Sequence, residues 1–143
     1  MARVRPTLQL AWFLLASAAC AGSLPMPPQA EHPLRAYAAV PYPPPAALVE
    51  VVPTAPDADG AAWVDGHWIW RGRYYVWERG GWLVPPEGAS YAPWQSLFAK
   101  DGRILFAPGT WYGPDRQPLE RPKVLVSART PPSQATVETE AAR

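Results

Sequence analysis

Residues 63–82 read WVDGHWIWRGRYYVWERGGW, and the spacing within them decides the fold. Trp63-Val-Asp-Gly66-His-Trp68 and Trp77-Glu-Arg-Gly80-Gly-Trp82 are two copies of a Trp-x-x-Gly-x-Trp unit, set 14 positions apart. A looser copy, Phe106-Ala-Pro-Gly109-Thr-Trp111, begins 29 positions after Trp77 with phenylalanine in the first slot. That gap is about two units, so a decayed copy is expected around Tyr91-Ala-Pro-Trp94.

The residues between the motifs are strand formers: Ile69, Trp70, Tyr74, Tyr75 and Val76 flank Arg71-Gly72-Arg73, which suits a tight hairpin loop. In a regular strand, residues five apart point to opposite faces. The glycine inside each unit is therefore expected to host a β-bulge that returns both rings to one face. Further along, Asp101-Gly102 reads as a two-residue type I′ turn, which sets Lys100 opposite Arg103, Phe98 opposite Leu105 and Leu97 opposite Phe106. The expected fold is all-β, a small antiparallel meander of about four to six strands. It spans residues 57–118, between proline-rich, largely disordered flanks. Thirteen aromatic residues lie from Trp63 to Tyr112. A module this small has no disulfide to lean on, so most of those rings are expected to be core.

The flanks differ in composition. Ten of the chain's 20 prolines fall between Gly22 and Pro56. Proline removes backbone donors and biases its neighbours to extended conformations, so residues 20–56 read as a polyproline-II spacer with a reach on the order of 100 Å at ~3.1 Å per residue. His32, alone in this segment, reads as a solvated histidine. The alternation around Glu50 makes Ala47 to Val52 a candidate edge strand. Residues 119–143 read as a flexible tail with a candidate strand at 123–128, and disorder is expected from Thr130 onward.

At the other end, Arg3 and Arg5 precede an apolar run from Thr7 to Ala19. At about 13 residues this is the length of a signal-peptide core and too short to span a bilayer, so residues 1–19 read as an export signal. Cys20, the only cysteine, ends the run. Ala18-Ala19-Cys20 is similar to the lipobox at which bacterial lipoproteins are cleaved and acylated, with Ser17 where a large aliphatic residue is usual. The reading is a lipidated Cys20, and Ala21 after it points to the outer membrane, facing periplasm or surface. The alternative is ordinary cleavage at Ala16-Ser17-Ala18 and a soluble periplasmic or secreted product. Without Arg3 and Arg5, 11 of the 13 basic residues remain against 12 acidic ones. They are scattered rather than gathered into a basic stripe, which argues against nucleic acid.

In these residues the chain resembles the bacterial WXXGXW (also written YXWGXW) repeat proteins, small exported proteins with proline-rich leaders. The resemblance covers about Val51 to Trp111 and includes the Tyr-x-Trp step from Tyr75 to Trp77. Asp65 and Arg79 stand where the family has proline before glycine. The resemblance implies an envelope location and carries no activity.

Catalytic patterns are weak. His67 is the module's one histidine, Ser90 and Ser96 lack a nucleophile elbow, and no metal-ligand spacing appears. The carboxylates Asp65, Glu78, Glu87 and Asp101 are assigned to turns and motif flanks rather than to a hydrolytic pair. The expectation is a protein without catalytic residues, metal or cofactor. Its repeat residues Trp63, Gly66, Trp68, Trp77, Gly80, Trp82, Phe106, Gly109 and Trp111 build a structural or interaction module that contacts an envelope protein partner. The alternative is glycan binding through exposed rings. The candidate binding face is Trp68, Trp70, Tyr75, Trp77 and Trp82, since a single-layer sheet leaves one face to cover.

Overall fold

A computed structural model describes residues 23–131. The export signal, Cys20 and the chain beyond residue 131 lie outside them. Within that range the chain forms eleven short strands and one 3-10 turn, Leu34–Ala36. The strands are β1 (Ala38–Val40), β2 (Ala62–Val64), β3 (His67–Trp70), β4 (Tyr75–Glu78), β5 (Gly81–Leu83) and β6 (Ser90–Ala92). They continue with β7 (Gln95–Phe98), β8 (Ile104–Ala107), β9 (Thr110–Tyr112), β10 (Pro118–Leu119) and β11 (Val124–Ser127). The protein is all-β, and its strands form several small antiparallel sheets.

The repeat explains how. The first two copies are the two arms of one long hairpin: Ala62 faces Leu83, Trp63 faces Trp82 and Val64 faces Gly81. Beyond a gap, His67 faces Glu78, Trp68 faces Trp77 and Trp70 faces Tyr75. The same register holds on both sides of the gap, with Asp65-Gly66 on one arm set against Arg79-Gly80 on the other. The expected bulge is therefore absent. The two arms fold over together at their glycines, so the first and last rings of each copy belong to different sheets, a corner of the kind that joins crossed sheets.

The second half repeats this plan. Gln95 to Phe98 pair with Ala107 to Ile104, and Ser90 to Ala92 pair with Tyr112 to Thr110 in the same register. The gap falls at Pro93-Trp94 against Pro108-Gly109. This identifies the decayed copy: Tyr91, opposite Trp111, holds the first slot, Trp94 stands in the glycine position, and Ser96, opposite Phe106, holds the last. First slots at 63, 77, 91 and 106 are nearly equally spaced.

Glycine is required at the first corner by crowding. A Cβ on Gly80 would lie 2.8 Å from both the Gly66 nitrogen and the Val64 oxygen. One on Gly66 would lie 2.5 Å from Trp77 Cζ2 and collide with the Glu50 carboxylate.

The Asp101-Gly102 turn differs from the expected one by a residue. Leu97 faces Leu105 and Phe98 faces Ile104, and Ala99 N donates to Arg103 O at 2.8 Å. The loop has Lys100, Asp101 and Gly102 between that pair, and Gly102 sits at φ +84°. This is a type I turn followed by a left-handed glycine. The Asp101 carboxylate favours it by accepting from the Arg103 backbone N–H at 3.1 Å and from its Nε at 2.7 Å. Those bonds hold the Asp101 carboxyl below its ordinary pKa.

The core lies where the bases of the two hairpins meet. Val64 and Leu83 of the first pack with Ala89, Tyr91 and Trp111 around the second. Trp63 and Trp82 contact edge to face, with ring centroids 5.6 Å apart, beside Ala128. The candidate strand in the tail is present as β11, paired with β5.

The proline-rich spacer is a correction. Residues 25–53 are not a free tether: they lie along both hairpins as an arm. Trp63 N donates to Pro25 O, and Gln29 bridges Tyr91 in parallel. β1 pairs with β8, and Val51 bridges Arg129 in place of the strand expected at Ala47 to Val52. His32 is buried rather than solvated, with Nε2 2.7 Å from Pro93 O and Nδ1 3.3 Å from the Tyr112 hydroxyl. The physical reason is that the hairpins present backbone and ring N–H donors, and a proline-rich strand offers unpaired carbonyls in return.

Candidate functional site: an aromatic face and a buried corner

Residues paired across an antiparallel ladder share a face, so Trp68, Trp70, Tyr75 and Trp77 of β3 and β4 line one side of the first hairpin's tip. Ring centroids lie 5.0 Å apart for Trp68–Trp77 and 4.8 Å for Trp70–Tyr75. All four are half-buried. Tyr75 also rests edge-on against Phe106 of β8, 5.2 Å away. Trp82, expected on this face, is not there. It is 2% exposed in the core, and its Nε1 donates to Pro53 O at 2.9 Å.

The arm crosses the face as a strap. Tyr42 packs edge-on against Trp70 and Tyr75, with centroids 5.3 and 5.7 Å away. The Tyr75 hydroxyl donates to Tyr42 O at 3.2 Å, and Trp68 Nε1 donates to Ala46 O at 3.3 Å. Tyr42 donates in turn to Arg73 O at 2.6 Å. At the far end, Glu50 accepts from Trp77 Nε1 and from the Gly80 backbone N–H, both at 2.9 Å. Burial and the neighbouring Tyr42 push the Tyr75 hydroxyl above its ordinary pKa, so it remains a donor.

The opposite side of the same corner is polar. His67, 3% exposed, places Nε2 3.3 Å from Glu78 Oε2, and Arg121 Nη1 donates to that oxygen at 2.9 Å. Arg121 Nη2 donates to Arg79 O at 2.9 Å. These groups line a cavity of about 210 Å³ together with Tyr91, Thr110 and Trp111. Burial lowers the His67 pKa, and Glu78 works the other way. Burial raises that of Tyr91. Among the described residues His67 Nδ1 is buried without a hydrogen-bond partner. Gly109 lies beside these groups, and a Cβ there would collide with the Tyr91 hydroxyl and sit 3.0 Å from His67 Nε2.

Of the repeat residues, Trp63, Trp82, Phe106 and Trp111 are core, Gly66, Gly80 and Gly109 form corners, and Trp68 and Trp77 belong to the aromatic face. Sequence reasoning missed Tyr42, Ala46 and Glu50, whose contacts leave no periodic trace. It also missed the His67–Glu78 pair: a loop of Arg71-Gly72-Arg73 would set Trp70 opposite Tyr74 and His67 opposite Trp77, whereas Arg71 N donates to Tyr74 O at 2.9 Å around a two-residue Gly72-Arg73 turn, and the register sets His67 opposite Glu78. Among the described residues no three His, Cys, Asp or Glu side chains gather as a metal site. Comparison with family models, curated proteins and solved structures finds no match to this chain.

Proposed function

We propose that this chain is a non-enzymatic interaction protein of the bacterial cell envelope, a WXXGXW repeat protein exported and held on the outer membrane by a lipid on Cys20. The apolar run from Thr7 to Ala19 ending in the only cysteine supports the anchor. The aromatic face carries the functional part of the reading. The Trp68 and Trp77 indoles and the Tyr75 phenol are met by main-chain carbonyls and one carboxylate of an extended proline-rich strand, which is how aromatic grooves recognise polyproline-like chains. Stacking on glycan would need open ring faces, and here the rings meet one another and Tyr42 edge to face.

Two measurements in cells test it together. Cys20→Ala should lose palmitate labelling and move the protein from the membrane to the soluble fraction; labelling that persists overturns the anchor. A photo-crosslinking aromatic residue in place of Trp70, which is half-buried on the aromatic face at the end of β3, should give a discrete protein adduct. Adducts to glycan alone overturn the protein-contact reading.

A further inference from the structure

The arm has an unusual relation to the rest of the chain. Among the described residues, every hydrogen bond or ring contact it makes beyond five residues along the chain ends between Trp63 and Arg129. Pro25, Pro28 and Ala30 bond to Trp63 and Tyr91, His32 to Pro93 and Tyr112, and Tyr37 to Gln95. β1 pairs with β8. Tyr42, Ala46, Glu50, Val51 and Pro53 bond to Arg73, Tyr75, Trp68, Trp77, Gly80, Arg129 and Trp82. Its only internal contacts are local, such as the turn in which Ala36 N donates to Pro33 O. The arm is thus a ligand of the two hairpins that happens to be covalently joined to them. The join is the loop from Thr54 to Gly60, mostly exposed, whose last residue sits at φ +72°.

We propose that residues 42–50 dock on the aromatic face of a second copy of this chain, the N-terminal arms being exchanged between neighbouring copies. This deepens the protein-contact reading by naming the partner. The groove reads an extended strand with free carbonyls, a tyrosine ahead of three prolines, and a carboxylate eight residues after that tyrosine. Tyr42-Pro-Pro-Pro-Ala46 and Glu50 supply that pattern in every copy. Exchange re-forms each arm contact on the neighbour and changes only the loop at 54–60, which makes it a low-cost route to assembly. Glu50 is then donated in trans, so each Trp77 and Gly80 is completed by the partner.

Cysteine trapping tests this in the full exported chain with Cys20→Ser, which removes the only other thiol. Val51 and Arg129 exchange both backbone hydrogen bonds, at 2.9 and 3.1 Å, so cysteines there are within bridging range. Two tagged forms are co-expressed, one with Val51→Cys and the other with Arg129→Cys. The expected result is a covalent pair carrying both tags, reduced when a synthetic peptide of residues 41–51 is present during folding. A yield no higher than that from two Val51→Cys forms overturns the proposal, as does, in a third form carrying both Val51→Cys and Arg129→Cys, a disulfide that closes only within the single chain. Tight binding of the peptide without any copy-to-copy disulfide also overturns it and assigns the groove to another protein's proline-rich segment. None of these outcomes depends on the lipid anchor.

Discussion

Glu50 and Trp77 are 27 residues apart in the chain, yet one oxygen of the Glu50 carboxylate accepts the Trp77 indole N–H while the other accepts the backbone N–H of Gly80. The acid thereby ties the strap to both the aromatic face and the corner of the first hairpin. Hydrogen bonds to a charged group are worth about 1.5–3 kcal/mol each, and the site is only half-buried. Glu50→Ala is expected to lower unfolding free energy by about 2–3 kcal/mol. Glu50→Gln, which keeps one acceptor, should cost about half as much. Urea titrations followed by tryptophan fluorescence measure both.

The corner glycines separate crowding from backbone conformation. Gly80→Ala must push a methyl group against backbone atoms that cannot swing away, and an overpacked site typically loses about 1–3 kcal/mol or more. Gly72, in the β3–β4 loop, has φ +82° and open space around it. Gly72→Ala should cost only the left-handed penalty of about 1–2 kcal/mol. Equal midpoints for the two variants would contradict the crowded corner.

Among the large apolar side chains, position outranks type. Trp63 is 2% exposed and Phe98 is 74% exposed. Trp63→Ala is expected to cost about 3–5 kcal/mol, enough to unfold a module of this size. Phe98→Ser should stay within about 0.5 kcal/mol. Thermal melts of the two proteins check the contrast.

His67 gives the fold a pH dependence of definite sign. Burial lowers its pKa below the ordinary histidine value of about 6.5, against the pull of Glu78. In the acid range the unfolded chain therefore binds more protons than the folded one, and stability falls as protons are added. The His67 contribution is full above about pH 6.5, where the ring is neutral in both states, and is lost as pH drops below that value. His67→Gln should flatten this part of the stability profile measured from pH 8 to pH 5. A variant that retains the whole slope would place its origin elsewhere.

The strands and their pairing were legible because they are encoded locally. Trp-x-x-Gly-x-Trp spacing gives the all-β class and the interval at Tyr91, and the strand formers around Arg71-Gly72-Arg73 give the place of the first hairpin but not its register, because the chain turns on Gly72-Arg73 with Arg71 opposite Tyr74. The meaning of the glycines was not legible. A lone glycine in a strand pattern fits a bulge or a corner equally well, and only the matching Gly80 on the opposite arm selects the corner. The Asp101-Gly102 loop was read one residue short because the dipeptide suits a type I′ turn. The choice was made by the Asp101 carboxylate reaching Arg103. The arm was least visible of all. Its bonds join proline carbonyls to donors dozens of residues away, and composition predicts such a segment to be free when nothing nearby satisfies it.

That arm also sets a distance. The carbonyl of Pro25 already accepts the Trp63 N–H at 2.7 Å, so only five steps of chain separate Cys20 from a residue fixed to the hairpins. Fully stretched, they span no more than ~18 Å. An acyl group on Cys20 would hold the module flush against the leaflet on a short leash, not at the end of a long stalk. Its reach would be limited to neighbours lying in the plane of the same bilayer.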